Sequence, residues 1–119
     1  MKTTVILGAS PKADRYSHLA HLRLKEAGHE TIPVHPTESH ILDDEVFSEV
    51  KDVWQSVDTL TVYVAPHRFA PLVDDVIRMG PRRIIFNPGT ECPEVYHEFP
   101  EHIKILDACT LVMLNTGQY

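Results

Sequence analysis

The sequence predicts an α/β fold: a doubly wound parallel sheet of five strands with helices on both faces, in three layers. Short apolar runs rich in Val, Ile and Thr alternate with stretches of helical period, which is typical of parallel strands joined by crossover helices. The first run leads directly into Gly8 and then into a helix-like segment. A chain of 119 residues is long enough for one domain with a single core, and we expect residues 1–119 to form it.

The first third of the chain predicts strand, helix and strand. Strand one covers residues 3–7, and a helix over residues 17–27 follows it with its apolar positions on one stripe. Gly28 stands where a left-handed C-terminal cap is expected. Strand two covers residues 30–34 and stops before Pro36.

The middle of the chain predicts a loop, a short helix, a strand and the clearest helix. Residues 37–45 are polar apart from Ile41-Leu42 and have no clear period, so they are assigned to the loop. Strand three covers residues 59–64, where Thr alternates with apolar side chains. Pro66 lies in the first turn of the clear helix, which Gly80 ends. Helical spacing predicts the short helix from Phe47, Val50, Trp54 and Val57, and the clear helix from Phe69, Leu72, Val73, Val76 and Ile77.

The last third of the chain predicts two further strands with short helical pieces. Strand four covers residues 83–86, and a turn over residues 87–90 follows it. Residues 93–99 form a short helix before Pro100, strand five covers residues 103–106, and residues 109–114 make a final helical turn or two.

Right-handed crossovers between five strands favour the order 3-2-1-4-5, with the reversal of chain direction between strands one and four. Ligands bind at such a switch point, beyond the carboxyl ends of the strands. Four predicted loops meet there, at residues 8–17, 35–39, 65–69 and 87–91. These loops are the expected site.

The junction of strand one with its helix predicts a site for an anionic nucleotide. A helix N-terminus presents unpaired N–H groups and the positive end of a dipole, which suits a phosphate. Lys12 and Arg15 lie in this loop and can hold a phosphate, although solvated loop charges explain them equally well. A dinucleotide site has less support, because Gly8 does not start a G-x-G-x-x-G motif and His35 follows strand two where a ribose-binding carboxylate is expected.

Composition limits the partners. The net charge of −6 argues against nucleic acid, since binding it requires a basic surface. No apolar run approaches the roughly 20 residues of a membrane span, and Met1-Lys2 is not followed by the apolar block of a signal peptide, so we expect a soluble, cytoplasmic protein. Cys92 and Cys109 lack metal or disulfide spacing and are expected to be free thiols.

An ordered set of motifs resembles the small stand-alone CoA-binding domain family, whose Rossmann-like fold is related to the CoA-binding domain of the succinyl-CoA synthetase alpha subunit. The resemblance covers nearly the whole chain. The motifs are Gly8-Ala9-Ser10-Pro11, Arg15-Tyr16-Ser17, Gly28, Ile32-Pro33-Val34-His35-Pro36, Val57-Asp58, Val64-Ala65-Pro66, Asn87-Pro88-Gly89-Thr90-Glu91 and Leu106-Asp107-Ala108-Cys109.

The resemblance implies a site for coenzyme A or an acyl-CoA. The first loop and helix start would hold the pyrophosphate, the end of strand two would lie along the adenosine, and the two later loops would line the pantetheine path. Cys109 would lie where the CoA thiol could approach it. The implied binding residues are Gly8, Ala9, Ser10, Lys12, Arg15, Tyr16, Ser17, His35, Pro36, Ala65, Pro66, Asn87, Pro88, Gly89 and Cys109.

Two departures from the ligase domains bear on the ligand. Those domains carry a Lys after the strand-two Pro that meets the 3′-phosphate, whereas this chain has Thr37, Glu38 and Ser39, and Glu38 would repel that phosphate. Dephospho-CoA or another adenine nucleotide therefore stays open. The first loop also has fewer glycines than in the ligases, which leaves open how closely its backbone approaches a phosphate.

The residues predict no self-contained catalytic group. Ser10 is not in a G-x-S-x-G elbow, and His18 and His21 have metal-compatible spacing without a third ligand. His67 and Arg68 are expected to face water. A carboxylate beside Cys109 tends to raise the pKa of a thiol rather than activate it. The predicted function is non-catalytic binding of CoA, acyl-CoA or a related nucleotide, with a small NAD(P)- or nucleotide-dependent oxidoreductase or transferase as the alternative; a structural or regulatory module with a vacant cleft, and the oligomeric state, stay open.

Overall fold

Seven strands form two sheets in the structure, a computed structural model that describes residues 1–119. Five parallel strands make the main sheet, in the order β2-β1-β5-β6-β7, and β3 and β4 form a separate antiparallel hairpin. The predicted α/β class and five-stranded parallel sheet are confirmed. The strands are β1 (Thr4–Leu7), β2 (Thr31–Val34), β3 (His40–Ile41), β4 (Asp44–Glu45), β5 (Thr59–Val62), β6 (Arg83–Phe86) and β7 (Lys104–Asp107).

Helices cover both faces of the main sheet, as predicted for a Rossmann-like fold. Helices α1 and α4 contact each other on one face, where Ile6 packs in a cluster with Leu24. Helices α2 and α3 lie on the other face, where Val5 and Leu7 share the larger core cluster with Phe69. The helices are α1 (Tyr16–Glu26), α2 (Pro66–Phe69), α3 (Val73–Met79) and α4 (Thr110–Asn115), with 3-10 turns at Val50–Asp52, Ala70–Leu72 and Pro93–Glu98.

The strand order differs from the prediction at one point. Predicted strand three is β5, which pairs with β1 rather than lying outside β2, so the five strands have the order 2-1-3-4-5 instead of 3-2-1-4-5. Pro33 explains why β2 is the edge: its carbonyl faces outward to the Phe47 N–H, 3.1 Å away, and its ring leaves no N–H for a further full strand. The chain therefore reverses direction between β1 and β5.

The segment between β2 and β5 is less helical than its spacing predicts. The predicted loop at residues 37–45 contains the β3–β4 hairpin, and the predicted short helix is wrong apart from the 3-10 turn at Val50–Asp52. Phe47 instead bridges the outer edge of β2, where its carbonyl accepts the N–H of His35 at 3.0 Å. Trp54 is 80% exposed, so the apolar repeat does not form one buried stripe.

The clear helix predicted from Pro66 to Gly80 is divided into α2, a 3-10 turn and α3. Pro71 lies at the division, and a proline inside a helix removes one backbone hydrogen bond. The predicted buried stripe survives the division, because Phe69, Val73 and Val76 are all buried. The helix ends at Gly80, as predicted, and this residue adopts a left-handed conformation. No helix of the chain has the length and apolar character needed to cross a bilayer.

A buried histidine joins α1 to the hairpin. His21 has no exposed surface, and its Nε2 lies 2.7 Å from a carboxylate oxygen of Asp44. Asp44 also accepts hydrogen bonds from the Lys25 ammonium, at 2.8 Å, and from the Thr31 hydroxyl. Burial lowers the pKa of His21 despite the carboxylate beside it, and hydrogen bonds from Lys25, Thr31 and His21 lower the pKa of Asp44. The folded state therefore favours neutral His21 and charged Asp44.

This arrangement predicts that acidification destabilises the fold. Between the ordinary His pKa of 6.5 and the lowered value of His21, the unfolded chain binds more protons than the folded chain, so stability falls as pH drops below about 6.5. Calorimetric melting at pH 7.5, 6.5 and 5.5 should show a declining Tm, and His21→Gln should flatten the decline. His102→Gln, at an exposed position, should leave it intact, and an equal decline in all three proteins would contradict the assignment to His21.

Candidate functional site

A cleft of about 920 Å³ opens beyond the carboxyl ends of β2, β1 and β5. The chain reverses direction here, between β1 and β5. The predicted order put this switch point between strands one and four. The structure brings together here the predicted residues Gly8, Ala9, Ser10, Lys12, Arg15, His35, Pro36 and Ala65. The cleft is also lined by residues not among the predicted binding residues, namely Leu7, Pro11, Val34, Glu38, Ser48, Glu49, Val50, Tyr63, Val64, His67, Arg68 and Leu72.

The start of α1 leaves its first amides free beside the cleft, at a small cavity that Tyr16 and Ser17 line with Arg15. Arg15 precedes the helix without a capping side-chain hydrogen bond, and the first turn has no acidic residue. The N–H groups of Tyr16 and Ser17 donate to no acceptor in the protein. A helix start of this kind attracts an anion through its unpaired donors and its dipole.

The loop before α1 is held by two local hydrogen bonds. The His18 ring donates from Nδ1 to the Ser10 carbonyl, 2.8 Å away, and the Lys12 N–H donates to the Ser10 hydroxyl at 3.1 Å. The Ser10 N–H has no acceptor in the protein. The loop is therefore organised before a ligand arrives, with a third free amide close to those of α1.

Gly8 allows the end of β1 to approach the end of β5. It has φ of +91°, and a Cβ added there would lie 2.9 Å from Val64 Cγ1 and 3.0 Å from the Tyr63 carbonyl carbon. No side chain has room at this point, and a left-handed φ is costly for any residue except glycine. The glycine predicted from the strand-to-loop junction thus lets the backbone itself form the floor of the cleft.

Positively and negatively charged side chains line different sides of the cleft. Lys12 and Arg15 stand on the β1 side and Arg68 on the α2 side, and none of these three cations makes an ion pair with a carboxylate of the chain. Glu38 and Glu49 stand on the β2 side. The sequence predicted that Arg68 and His67 face water; both are exposed, and both also line the cleft.

His35 organises the turn that follows β2. Its Nδ1 accepts the N–H groups of Thr37 and Glu38, both at 3.1 Å. A ring nitrogen that accepts carries no hydrogen, so the ring hydrogen is on Nε2. His35 thus orders the turn that carries Glu38 and keeps one N–H for another partner.

A second cavity of about 340 Å³, mainly apolar, lies beside the cleft, toward α4. Tyr63 lines both, and a smaller cavity of about 240 Å³ shares walls with each. The Tyr63 hydroxyl is buried without a hydrogen-bond partner, and burial raises its pKa. The hydroxyl lies in the interior near the side chains of Thr61 and Thr110, so the ring of Tyr63 lines the cavities while its oxygen does not face them. The second cavity is lined by Tyr16, Tyr63, Asn87, Pro88, Cys109 and Leu111, and Ser17 lines the smaller one.

Asn87 connects β6 to its neighbours through its side chain. Its Nδ2 donates to the Thr61 hydroxyl at 2.7 Å and to the Val62 carbonyl at 2.9 Å, and its Oδ1 accepts the Thr110 N–H at 2.9 Å. Asn87 is 2% exposed. Both hydrogens of the amide are used inside the protein, so Asn87 shapes the wall of the second cavity and has no spare donor for a ligand.

Of the remaining predicted residues, Pro66 and Gly89 lie outside both cavities and Cys109 lines the second one. Pro66 is the first residue of α2 and lines neither cavity, and the Gly89 N–H donates to the Glu91 carboxylate at 2.9 Å. Burial and the neighbouring Glu94 raise the pKa of the Cys92 thiol to about 11, so this cysteine is protonated at neutral pH. Cys109 is half-buried in the wall of the second cavity.

The two helix-spaced histidines have separate partners. His18 donates to the Ser10 carbonyl, whereas His21 contacts Asp44 on the buried side of α1. No group of three or more His, Cys, Asp or Glu side chains is placed to hold a metal ion. Asp107, the carboxylate two residues before Cys109, accepts a hydrogen bond from the Tyr96 hydroxyl at 2.6 Å.

Comparison with known protein families identifies the chain. The model of the CoA-binding domain family matches residues 2–115. The chain belongs to this CoA-binding domain family. The family expected from the ordered motifs is thereby confirmed, and the match covers nearly the full chain.

Relatives of the CoA-binding domain include both small proteins and a large enzyme. A crystal structure of an uncharacterized protein is 41% identical, with a TM-score of 0.93 over 100% of this chain and 98% of that one. The uncharacterized protein YneT of Bacillus subtilis is 25% identical over 113 residues, covering 93% of this chain and 84% of its own. The dinucleotide forming acetyl-coenzyme A synthetase 1 of Ca. Korarchaeum cryptofilum, in complex with phosphate and ADP, shares the fold at 17% identity and a TM-score of 0.75, over 90% of this chain and 25% of its own.

Proposed function

We propose that the cleft binds coenzyme A, an acyl-CoA or a closely related adenine nucleotide, without chemistry of its own. The observation that carries this proposal is the uncapped start of α1, where Tyr16 and Ser17, with free N–H groups, line a small cavity together with Arg15. Arg15 also lines the cleft, as does Lys12, and neither cation is paired. Together they offer donors and positive charge to a diphosphate. Membership of the CoA-binding domain family supports the choice of ligand class.

The β2 side of the cleft and the second cavity suit the two ends of such a ligand. Polar groups of His35, Ser48 and the two glutamates at β2 can meet the hydroxyls of a nucleoside, whereas the second cavity, lined by Tyr63, Pro88 and Leu111, can take the apolar end beyond the pantetheine. Tyr63 lines both cavities and so lies between the two ends. A ligand arranged in this way would have its diphosphate in the middle, near the start of α1.

The proposal of binding without catalysis is supported by the side chains that line the cleft. Its nucleophile candidate, Ser10, uses its hydroxyl to accept the Lys12 N–H, and no general base contacts it. The His21–Asp44 pair lies on the hairpin side of α1, and neither residue lines the cleft. The chain therefore supplies groups that hold an anion rather than a nucleophile and base in contact.

A second candidate is a site for NAD(P) in a small oxidoreductase, or for another nucleotide in a transferase. It is favoured by one observation, the carboxylates of Glu38 and Glu49 beside β2. Dinucleotide sites use a carboxylate in this region to bind ribose hydroxyls. Glu38 could supply this carboxylate four residues after the end of β2, whereas the dinucleotide motif expects it directly at the end of the strand.

A ligand panel distinguishes the candidates. Melting temperatures are measured with CoA, acetyl-CoA, dephospho-CoA, NAD, NADP and ATP in parallel. A ligand present at 100 times its Kd adds about 2.7 kcal/mol of stability, roughly 5 °C or more for a domain of this size. We expect such a shift with at least one CoA compound; a shift with NAD alone would select the second candidate, and no shift with any nucleotide would contradict both.

Arg15→Ala tests the diphosphate contact. Loss of a charge-assisted hydrogen bond to phosphate should weaken the bound CoA compound by about 1–3 kcal/mol, roughly 10- to 100-fold in Kd, as measured by isothermal titration calorimetry. Arg82→Ala is the matched control, because it removes the same charge from an exposed position outside the cleft. Equal affinity of the Arg15 and Arg82 variants would remove Arg15 from the site.

A further inference from the structure

We infer that the β2 wall of the cleft selects adenine nucleotides whose ribose hydroxyls are unphosphorylated, so that dephospho-CoA binds more tightly than CoA, and NAD more tightly than NADP. This inference rests on the proposed function, since it concerns the same cleft. It names the determinants as the carboxylates of Glu38 and Glu49, which line that wall.

Two separate connections bring these carboxylates to one wall. His35 accepts the N–H of Glu38 and so holds the turn directly after β2. Phe47 pairs with the outer edge of β2, and this pairing carries Ser48 and Glu49 to the same end of the strand. Each glutamate is therefore placed by backbone hydrogen bonds at the end of β2, in a region where related α/β sites bind ribose.

One of these carboxylates has a cation nearby, and that cation lies outside the cleft. Glu38 makes no ion pair, and the cation within 4 Å of Glu49 is Lys51, whose ammonium lies 3.6 Å away on an exposed side chain that does not line the cleft. Lys12 and Arg68, which do line the cleft, stand on its other sides. The wall therefore offers acceptors and negative charge.

Carboxylates distinguish the two kinds of ribose by simple chemistry. An unphosphorylated ribose donates hydroxyl hydrogens that a carboxylate accepts. A phosphate monoester replaces one donor with about −1.5 to −2 charges near neutral pH, and this charge is repelled by nearby carboxylates. Dinucleotide sites follow the same rule, with an acidic residue for the free ribose and an arginine for the phosphorylated one.

Isothermal titration calorimetry with matched ligand pairs tests the inference. We expect dephospho-CoA to bind the wild-type chain about tenfold or more tightly than CoA, because the added phosphate faces two carboxylates in a partly enclosed site. In Glu38→Gln/Glu49→Gln the ratio should fall below about threefold, mainly through tighter CoA binding. Glu26→Gln/Glu101→Gln changes the net charge equally at exposed positions outside the cleft and should keep the wild-type ratio. NAD and NADP form a second pair with the same expectation.

The outcomes separate this inference from the proposal beneath it. CoA binding as tightly as dephospho-CoA, or more tightly, overturns the inference while supporting the proposed function. A preference for dephospho-CoA that persists in the double Gln variant overturns the assignment to Glu38 and Glu49. Failure of every nucleotide to bind the wild-type chain overturns the proposed function and the inference with it.

Discussion

Asn87→Ala should destabilise the folded chain by about 3–5 kcal/mol, the largest effect expected of any single substitution considered for this domain. The change removes three hydrogen bonds of 2.7–2.9 Å from a side chain that is 2% exposed. It leaves the Val62 carbonyl and the Thr110 N–H buried without a partner, and each such loss costs about 1–3 kcal/mol. Chemical denaturation with urea measures the effect as a lower transition midpoint at constant slope.

Asn115→Ala is the matched control for this prediction. Asn115 is an asparagine at the end of α4, and its side chain accepts a hydrogen bond from Arg23 on the exposed surface. Its removal should change the stability by no more than about 0.5 kcal/mol, because surface contacts of this kind contribute little. Equal losses in the Asn87 and Asn115 variants would contradict the role assigned to Asn87 in joining β5, β6 and α4.

Gly8→Ala should destabilise the chain by about 2–5 kcal/mol, the second largest effect expected. A left-handed φ costs an L residue about 1–2 kcal/mol, and the added methyl group meets Val64 and the Tyr63 backbone in a packed junction, at a further cost of about 1–3 kcal/mol. Separation of β1 from β5 would also widen the floor of the cleft. Thermal melting should show a Tm roughly 10 °C lower.

Gly28→Ala separates the two contributions. Gly28 has a similar φ, +87°, but an added Cβ would meet no atom within 4 Å. Its substitution should therefore cost only the conformational part, about 1–2 kcal/mol. If the two alanine variants melted at the same temperature, contact with Val64 and the Tyr63 backbone would add no cost to a side chain at Gly8.

The strands of the main sheet could be predicted from the sequence, but their order could not. Buried parallel strands have continuous β-branched and apolar residues, so all five were placed within two residues of their observed ends. The order depends on which strands pair, and the periodicity of each strand does not contain that information. The one local signal is Pro33, whose missing N–H permits only an edge position for β2.

The candidate site could be predicted in part for a related reason. Loops that follow parallel strands gather at one end of the sheet, so Gly8, Arg15 and His35 were placed from the chain alone. Glu49 was not, because it reaches the cleft through the pairing of Phe47 with β2, a contact between distant residues. Tyr63 was not predicted either, because strand three is expected to run to residue 64. The observed strand, β5, ends at Val62, so Tyr63 lies just beyond it.

The central claim is that the free amides at the start of α1 hold the diphosphate of the ligand. Titration of the ¹⁵N-labelled chain with CoA and with dephospho-CoA, followed by amide NMR spectra, tests it directly. We expect the largest shifts at the N–H groups of Ser10, Tyr16 and Ser17, which have no acceptor in the protein. Saturable shifts confined to other parts of the chain, with these three amides unmoved, would contradict the claim.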